Sequence, residues 1–258
     1  AQVDMPRINS QEKVVSALKA LWKYNFTTDV GPYIKTHLGG RPYALAGEGG
    51  MVMNTNPKNE DKAYGDHTTW QLGYFHECMS GFEHQVAAHM MAEGMVDESL
   101  VLTRMIHDRH HAARRNPFNE IECSDHYARA MASYGTFISV CGFSYHGPKG
   151  RIGFTPKVGA ADFRAPFTAA KGWGTYSQRR KSEGECCCTL SLKYGELMLH
   201  EFHIGDADDL SLDKRHLVAK QNDRSIELAG LKRTSRRLVV NFKDQLLLKK
   251  GDILIIQW

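Results

Sequence analysis

Two runs in the C-terminal half of the chain alternate apolar and polar side chains: Thr189-Leu-Ser-Leu-Lys-Tyr194 and Leu197-Met-Leu-His-Glu-Phe-His-Ile204. Successive side chains of a β-strand point to opposite faces, so this period of two predicts strands with one buried face. Further apolar runs follow at about ten-residue spacing, at residues 238–242, 246–248 and 252–258. Lys249-Lys-Gly-Asp252 predicts a turn between the last two strands. From Arg151 onward we therefore expect a small antiparallel β-domain.

The N-terminal half has a helical period instead. Apolar residues recur at spacings of three and four, at Val14, Val15, Leu18, Leu21 and Trp22. Asn9-Ser-Gln-Glu12 has the spacing of a capping box, which predicts that the first helix begins after Asn9 or Ser10 and ends near Tyr24. Residues 27–66 form a long, glycine-rich connection of the kind that often lines a functional site.

Three more helices are predicted before residue 150. The first spans about residues 69–93 and ends at Gly94, the second begins with Asp97 as its cap, and the third runs from Ser124 or Asp125 to Val140. We expect their buried sides to include the larger apolar residues, among them Phe82, Met90, Met91, Met131 and Tyr134. Helices first and strands second predict an α+β protein, with a helical domain at residues 1–150 and a β-rich domain at residues 151–258.

Composition excludes several classes of protein. The formal net charge is +4, from 33 Lys plus Arg against 29 Asp plus Glu, and the basic clusters are short and separated. That pattern does not indicate a nucleic-acid partner, which needs a concentrated basic face. We also expect no membrane span, because the sequence has no apolar run of roughly 18 to 20 residues.

The six cysteines do not have metal or redox spacing. A C-x-x-C pair is missing, and Cys186, Cys187 and Cys188 are consecutive. In a strand these three would point to alternating faces, which suits neither a shared metal nor a mutual disulfide. Unpaired thiols indicate a reducing compartment, with a slight preference for the cytoplasm.

The densest polar cluster of the chain is Asn116-Pro-Phe-Asn-Glu-Ile-Glu-Cys-Ser-Asp-His-Tyr-Ala-Arg129. Two interpretations are open. In the first, Ser124 or Asp125 caps a helix and Asp125 pairs with Arg129, four residues later on the same face. In the second, the cluster binds a sugar, because charged forks such as Glu and Arg make paired hydrogen bonds with neighbouring hydroxyls.

Three motifs resemble, in order, those of glycoside hydrolase family 116, which holds non-lysosomal glucosylceramidases and bacterial β-glucosidases and β-xylosidases. Residues 120–129, preceded by Arg115-Asn-Pro-Phe-Asn119, are similar to the signature N-P-[WFY]-N-E-x-E-C-G-D-H-Y-A-R. Residues 81–94 resemble the helix G-[IF]-E-Y-Q-V-A-A-H-M-x-x-E-G. Residues 162–178 are similar to a C-terminal portion of bacterial relatives.

This resemblance implies a partial (α/α)6 barrel and retaining hydrolysis of β-linked glucosides. It implies that Glu120 and Arg129 bind the hydroxyls of the sugar in the −1 site, with Asp125 and His126 of the same signature beside them. Met79 stands where the family has a tryptophan bordering the sugar pocket, and methionine offers a soft apolar contact rather than a flat stacking face. Two consequences are open: a specificity that differs from that of the family, or a decayed pocket.

Retaining hydrolysis needs two carboxyl groups roughly 5 to 5.5 Å apart. In the family both lie well upstream of the signature, and the residues before Glu120 do not contain their motifs. Glu120 and Glu122 alternate faces in an extended segment, so they are not this pair. The first residue is Ala1 rather than Met, so we expect a processed or excised chain: the C-terminal part or a subunit of a retaining β-glycosidase, with no catalytic residue of its own.

Such a chain needs a partner. Half of a helical barrel would expose the inner, apolar faces of its helices, so we expect an upstream chain or domain to complete the barrel and to make the enzyme active. The alternative is a non-catalytic carbohydrate-binding or scaffolding subunit. We expect no cofactor and no metal, since His107, His110 and His111 lack an H-E-x-x-H arrangement. The run Gly172-Trp-Gly-Thr-Tyr-Ser177 lacks the serine-elbow spacing and predicts a turn near the barrel rim.

Overall fold

The architecture comes from a computed structural model of the chain. It describes residues 7–36, 44–53, 55, 77–118, 131–181, 185–205, 217–234 and 237–258. The described residues form two compact units, one within Arg7–Ser139 and the other within Val140–Trp258. The first is mainly helical and the second is built of strands, which confirms the predicted α+β class. The predicted (α/α)6 barrel remains a proposal.

The helical unit contains five helices in its described parts: α1 (Gln11–Asn25), α2 (Gly31–Thr36), α3 (Ser80–Glu93), α4 (Val96–Arg109) and α5 (Ala132–Cys141). Two short strands, β1 (Phe26–Thr27) and β2 (Gly50–Met51), pair antiparallel. In its described parts, the connection predicted for residues 27–66 therefore contains a short helix and a strand that pairs with β1. Val52 N–H donates to Asn25 O at 2.9 Å and extends that pairing, so the loop is anchored to the end of α1.

Local signals define the start of α1 and the end of α3. Ser10 caps α1, and its hydroxyl accepts from the backbone of Lys13, as the capping-box spacing predicts. α3 ends at Gly94, whose N–H donates to Met91 O. The prediction was wrong for α4, because the helix begins at Val96 and Asp97 lies in its first turn rather than at the cap. An acidic side chain in a first turn still stabilises the helix through its dipole.

α3 and α4 pack against each other and against α1. Their common core contains Leu18, Ala87, Met90, Leu102 and Ile106, as the helical periodicity predicts. Three other predicted core residues are exposed instead: Phe82, Met131 and Tyr134 have exposed fractions of 46%, 88% and 42%. Residues 119–130 lie outside the described ranges, and within those ranges α5 begins only at Ala132.

The second unit contains ten strands in its described parts. They are β3 (Ser144–His146), β4 (Arg151–Phe154), β5 (Asp162–Thr168), β6 (Gly172–Arg180), β7 (Cys186–Gly205), β8 (Val218–Gln221), β9 (Arg224–Ser225), β10 (Leu228–Thr234), β11 (Arg237–Lys249) and β12 (Ile253–Gln257). The turn predicted at residues 249–252 joins β11 to β12, which confirms it. Gly172–Ser177, predicted as a turn, lies in β6 instead, so that prediction was wrong.

β7 is common to two groups of strands. Its first half pairs with β6 on one side and β12 on the other, and its second half pairs with β11 and β4. The strand orders are β5-β6-β7-β12-β8-β9 and β10-β11-β7-β4-β3. The β4–β7 pair is parallel. The prediction of a small antiparallel domain was therefore wrong, since the sheet is large and mixed.

Gly195 separates the two halves of β7. Its φ is +72°, and a Cβ at this position would collide with the carbonyl oxygen of Lys171, so only glycine fits. Before the glycine Leu190 and Leu192 point into the core, and after it Leu197 and Leu199 do so. The strand thus keeps one buried face through the change of partners.

The three consecutive cysteines lie at the start of β7. Cys186 and Cys188 are buried and Cys187 is half-buried, so the predicted alternation of faces is confirmed. The sulfur atoms of Cys186 and Cys188 are 3.9 Å apart. Among the residues that the structure describes, no helix is long and apolar enough to cross a bilayer.

Candidate functional site

The predicted sugar-binding residues divide into two groups. Glu120, Asp125, His126 and Arg129 lie outside the described residues, so their predicted roles stay predictions. Met79 is described, and it lies immediately before α3 with only 7% of its surface exposed. Its carbonyl oxygen accepts from the N–H of Glu83 at 2.9 Å in the first turn of that helix. Of the predicted sugar-binding residues, the structure therefore describes Met79 and its surroundings.

The segment before α3 is buried and connected to the loop that follows β2. Glu77 and Cys78 have no exposed surface, and Glu77 O accepts from Met53 N–H at 3.1 Å. Burial, followed by the negative charge of Glu83, raises the pKa of the Cys78 thiol far above its usual value. Cys78 is thus a neutral, inert thiol that packs with Val30, Ala44 and Val52.

A buried ion pair lies at the centre of the helical unit. Arg109, at the end of α4, donates to both carboxylate oxygens of Glu83 on α3, and the two side chains are 1% and 2% exposed. Arg109 also donates to the carbonyl oxygens of Gly49 at 2.8 Å and Cys78 at 3.4 Å. Glu83 accepts from the N–H of Met51 at 2.8 Å. The pair thus connects both helices to the loop around residue 50.

The charges of this pair are mutually stabilised. Burial alone would lower the pKa of Arg109, but the charge of Glu83 and its hydrogen bonds outweigh that effect and raise it. Gly50 passes so close that a Cβ would collide with the Arg109 guanidinium and the Glu83 carboxylate, so the loop needs glycine here. Because the Glu83 carboxylate accepts from Arg109 and from the N–H of Met51, it is suited to positioning rather than to proton transfer.

A second ion pair joins the same loop to the residues before the signature. Glu48 is 4% exposed and accepts from Arg115, with Arg114 at 3.7 Å. Its other carboxylate oxygen accepts from the N–H of Leu45 at 2.8 Å. Arg115 directly precedes Asn116-Pro-Phe118, where the Asn116 side chain accepts from the N–H of Phe118 at 3.0 Å. The lead-in to the signature is therefore anchored on Glu48.

Residues 48–51, which include the short strand β2 and are called here the loop at residues 48–51, thus connect the parts of the candidate site. One of its ends contacts Arg115 through Glu48, and the other contacts Glu83 and Arg109 through Gly49 and Met51. No sequence pattern indicated that Glu48, Glu83 and Arg109 help to build the site. The sequence shows Glu83 within the motif helix, but the contacts of Arg109 with residues 26 and 60 positions away leave no periodic signal.

His84 is a neutral imidazole next to this cluster. Burial, then the charges of Arg109 and His110, lowers its pKa from 6.5 to about 4. Its Nδ1 atom is buried without a hydrogen-bond partner within the described ranges. Between these two pKa values the unfolded chain binds more protons at this ring than the folded chain does. The stability contributed by neutral His84 is therefore complete above pH 6.5 and is lost as the pH falls towards 4.

We expect His84 to titrate at about pH 4 in an NMR titration of the imidazole protons. The variant His84→Gln should show a smaller loss of unfolding free energy between pH 6.5 and pH 4 than the wild type does, because it has no ring to protonate. His107→Gln, at an exposed position of α4, is the matched control and should keep the wild-type pH dependence. Titration of His84 near its usual pKa would contradict the assignment.

Across the described ranges, His, Cys, Asp and Glu side chains do not form a group of three or more that would hold a metal ion. At the candidate site, two buried carboxylates, Glu48 and Glu83, are bound by arginine and fix backbone segments. Such an arrangement can position ligand-binding side chains on adjoining segments. It does not by itself supply a free acid and base.

Comparisons with known proteins add two solved structures. No family model matches the chain, and no curated protein matches it either. A GH127 β-arabinofuranosidase matches with a TM-score of 0.30 and 11% identity over 69% of this chain. Ara127N-Se, a GH127 β-L-arabinofuranosidase from Geobacillus stearothermophilus T6, matches with a TM-score of 0.29 and 10% identity, also over 69%.

Both of these proteins are glycoside hydrolases by name, and this chain spans about a third of their length, 32% and 31% respectively. Likeness at this level defines neither fold nor activity. The comparisons do not support family 116 in particular.

Proposed function

We propose that this chain is the C-terminal part or a subunit of a retaining β-glycosidase of the β-glucosidase or glucosylceramidase type. In this proposal Glu120 and Arg129 bind the hydroxyls of the non-reducing sugar, and Asp125, His126 and Met79 complete its surroundings. The nucleophile and the acid/base lie outside this chain. The ordered resemblance of three motifs to family 116 motivates the proposal.

One structural observation supports it most strongly. The loop at residues 48–51 contacts Glu83 at the start of α3, which contains the motif of residues 81–94. The same loop contacts Arg115, which leads into the signature at residues 120–129. Two motifs that are separated along the chain are therefore attached to one loop. This is the arrangement expected if Met79 and the signature residues contribute to a common pocket, because catalytic and binding side chains need rigid support.

The chemistry of the proposed site is recognition rather than bond cleavage. A carboxylate and a guanidinium together donate to and accept from neighbouring sugar hydroxyls through charge-assisted hydrogen bonds. Glu48 and Glu83 do not provide the catalytic pair in this proposal, since each is bound by arginine. A further chain or domain supplies that pair and covers the inner faces of the helices.

The test is made on the complete assembly. We expect Glu120→Gln and Arg129→Ala each to lower transition-state binding by at least about 2 to 3 kcal/mol, because each loses hydrogen bonds to a charged group. This corresponds to about 30- to 150-fold in kcat/KM on an aryl β-glucoside. Matched controls are Glu12→Gln and Arg104→Ala, which change exposed residues of α1 and α4 and should retain wild-type kinetics. Near-wild-type kcat/KM in both site variants would contradict the assignment.

A non-catalytic carbohydrate-binding or scaffolding subunit is the second candidate. The observation that favours it is the structural use of Glu48 and Glu83, which leaves these buried carboxylates unavailable for acid–base chemistry. Activity of the purified assembly on aryl β-glucosides separates the two functions. Hydrolysis that depends on Glu120 supports the enzyme, whereas sugar binding without hydrolysis supports the binding subunit.

A further inference from the structure

Two aromatic side chains lie exposed next to each other on the strand-built unit. Trp173 on β6 and Tyr194 on β7 are directly opposite in the register, with exposed fractions of 50% and 59%. Their ring centroids are 6.1 Å apart and the ring planes differ by 17°. The two rings therefore form one contiguous apolar patch on the surface of adjacent strands.

The backbone fixes the two rings in place. The register shifts between Trp173 and Gly174, where Lys193 is an extra residue of β7, and a bulge of this kind bends its strand and re-aims side chains. The next pair in the register, Gly172 and Gly195, packs so closely that a Cβ at Gly172 would lie 2.7 Å from the carbonyl oxygen of Tyr194. The aromatic pair is therefore presented by two closely paired strands, next to a corner formed by Gly172 and Gly195.

Hydroxyl groups surround the rings on the same outer face. Thr168 on β5 is the register partner of Trp173, and the next row along the sheet pairs Thr175 with Ser191. Thr168 is exposed, while Thr175 and Ser191 are half-buried. We call these five residues, Thr168, Trp173, Thr175, Ser191 and Tyr194, the aromatic face.

Charges at the margin of the aromatic face are nearly balanced. Lys171 and Glu196 form an ion pair at 3.2 Å next to the glycine corner, and Lys193 adds one positive charge beside Tyr194. A polyanion such as a nucleic acid would need a concentrated basic surface. A neutral ligand that is rich in hydroxyls matches the charge and the side chains of this face better.

We infer that the aromatic face binds a neutral glycan chain. The C–H groups of a sugar ring pack against aromatic rings and release water from both surfaces. The sugar hydroxyls exchange hydrogen bonds with Thr168, Thr175 and Ser191, each of which can donate and accept. This site lies in the strand-built unit and uses none of the residues proposed to bind the sugar in the helical unit, so the inference goes beyond the proposed function.

The test is binding of the full chain to neutral glycans, measured as retardation in native gels that contain a soluble β-glucan or a soluble α-glucan. The wild type should be retarded by at least one of them, and raising the salt concentration should change the retardation little because no phosphate or carboxylate is bound. Trp173→Ala and Tyr194→Ala should each weaken the association by about tenfold. Tyr194→Phe keeps the ring and should retain most of the binding.

Tyr24→Ala is the matched control, since Tyr24 is an exposed aromatic residue of α1 with 40% of its surface accessible. It should bind like the wild type, and circular dichroism should show that all variants are folded. The inference is overturned if the wild type is not retarded by either glycan, or if Tyr24→Ala loses as much binding as Trp173→Ala. It is also overturned if the wild type is retained only by a DNA or heparin matrix. The same holds if Trp173→Ala leaves glycan retardation unchanged and instead abolishes binding to another protein. None of these outcomes bears on Glu120 and Arg129.

Discussion

Arg109→Ala should lower the free energy of unfolding of the helical unit by about 3 to 5 kcal/mol, the range for breaking a buried ion pair by removing one partner. The guanidinium is 1% exposed and donates to Glu83, to Gly49 O and to Cys78 O. Its removal leaves the Glu83 charge buried without compensation and leaves two carbonyl groups without their donor. The same range is expected for Glu83→Ala, which leaves the positive charge of Arg109 buried without its partner.

Urea unfolding followed by far-ultraviolet circular dichroism measures this effect. The double variant Glu83→Met/Arg109→Met removes both charges and should be clearly more stable than either single alanine variant, because a buried pair is replaceable by apolar side chains. Arg104→Ala is the matched control. Arg104 pairs with Asp108 on the exposed side of α4, so its loss should change the stability by less than about 1 kcal/mol. Equal effects at Arg104 and Arg109 would show that the buried pair has no special role.

Phe154→Ala should destabilise the strand-built unit by about 3 to 5 kcal/mol, because it opens a cavity in a closely packed aromatic core. The Phe154 ring is stacked on Tyr176, with centroids 4.0 Å apart and ring planes 5° apart. The rings of Phe143, Phe167 and Phe202 lie around it at centroid distances of 5.3, 6.0 and 6.4 Å. No neighbouring ring can fill the space without leaving its own contacts.

Near-ultraviolet circular dichroism during urea unfolding reports on this core, because it detects the packing of Tyr176 and the phenylalanine rings. Met198→Ala is the control, since Met198 on β7 is 44% exposed and its truncation should cost about 1 kcal/mol or less. If Phe154→Ala and Met198→Ala destabilise the protein equally, the aromatic cluster is not the centre of the core.

Sequence periodicity predicts the strand-built unit well at short range and poorly at long range. The alternation at residues 189–192 and 197–200 identifies both halves of β7 because each of these stretches has one buried and one more exposed face, whereas residues 202–204 are all buried. That the two halves form one strand depends on the left-handed backbone of Gly195, which alternation does not encode. The Gly172–Ser177 run is misread as a turn because its glycines serve close packing between strands.

Prediction of the candidate site has a similar limit. The cap at Ser10 and the stop at Gly94 are local, and the structure confirms both. The contact of Arg109 with Glu83 spans 26 residues and that with Gly49 spans 60, so spacing along one helix cannot indicate it. Met79 was found through motif resemblance, and the structure adds that it is held beside this network.

The shared strand β7 has a consequence for folding kinetics. Its residue Cys187 pairs with Gln257, and its residue Ile204 pairs with Phe154, so contacts of high sequence separation are needed on both sides of one strand. Closing these loops costs conformational entropy before the strand pairing stabilises the structure, and this slows folding. The strand-built unit should therefore refold slowly, and a break within β7 should disrupt both groups of strands, because both pair with it.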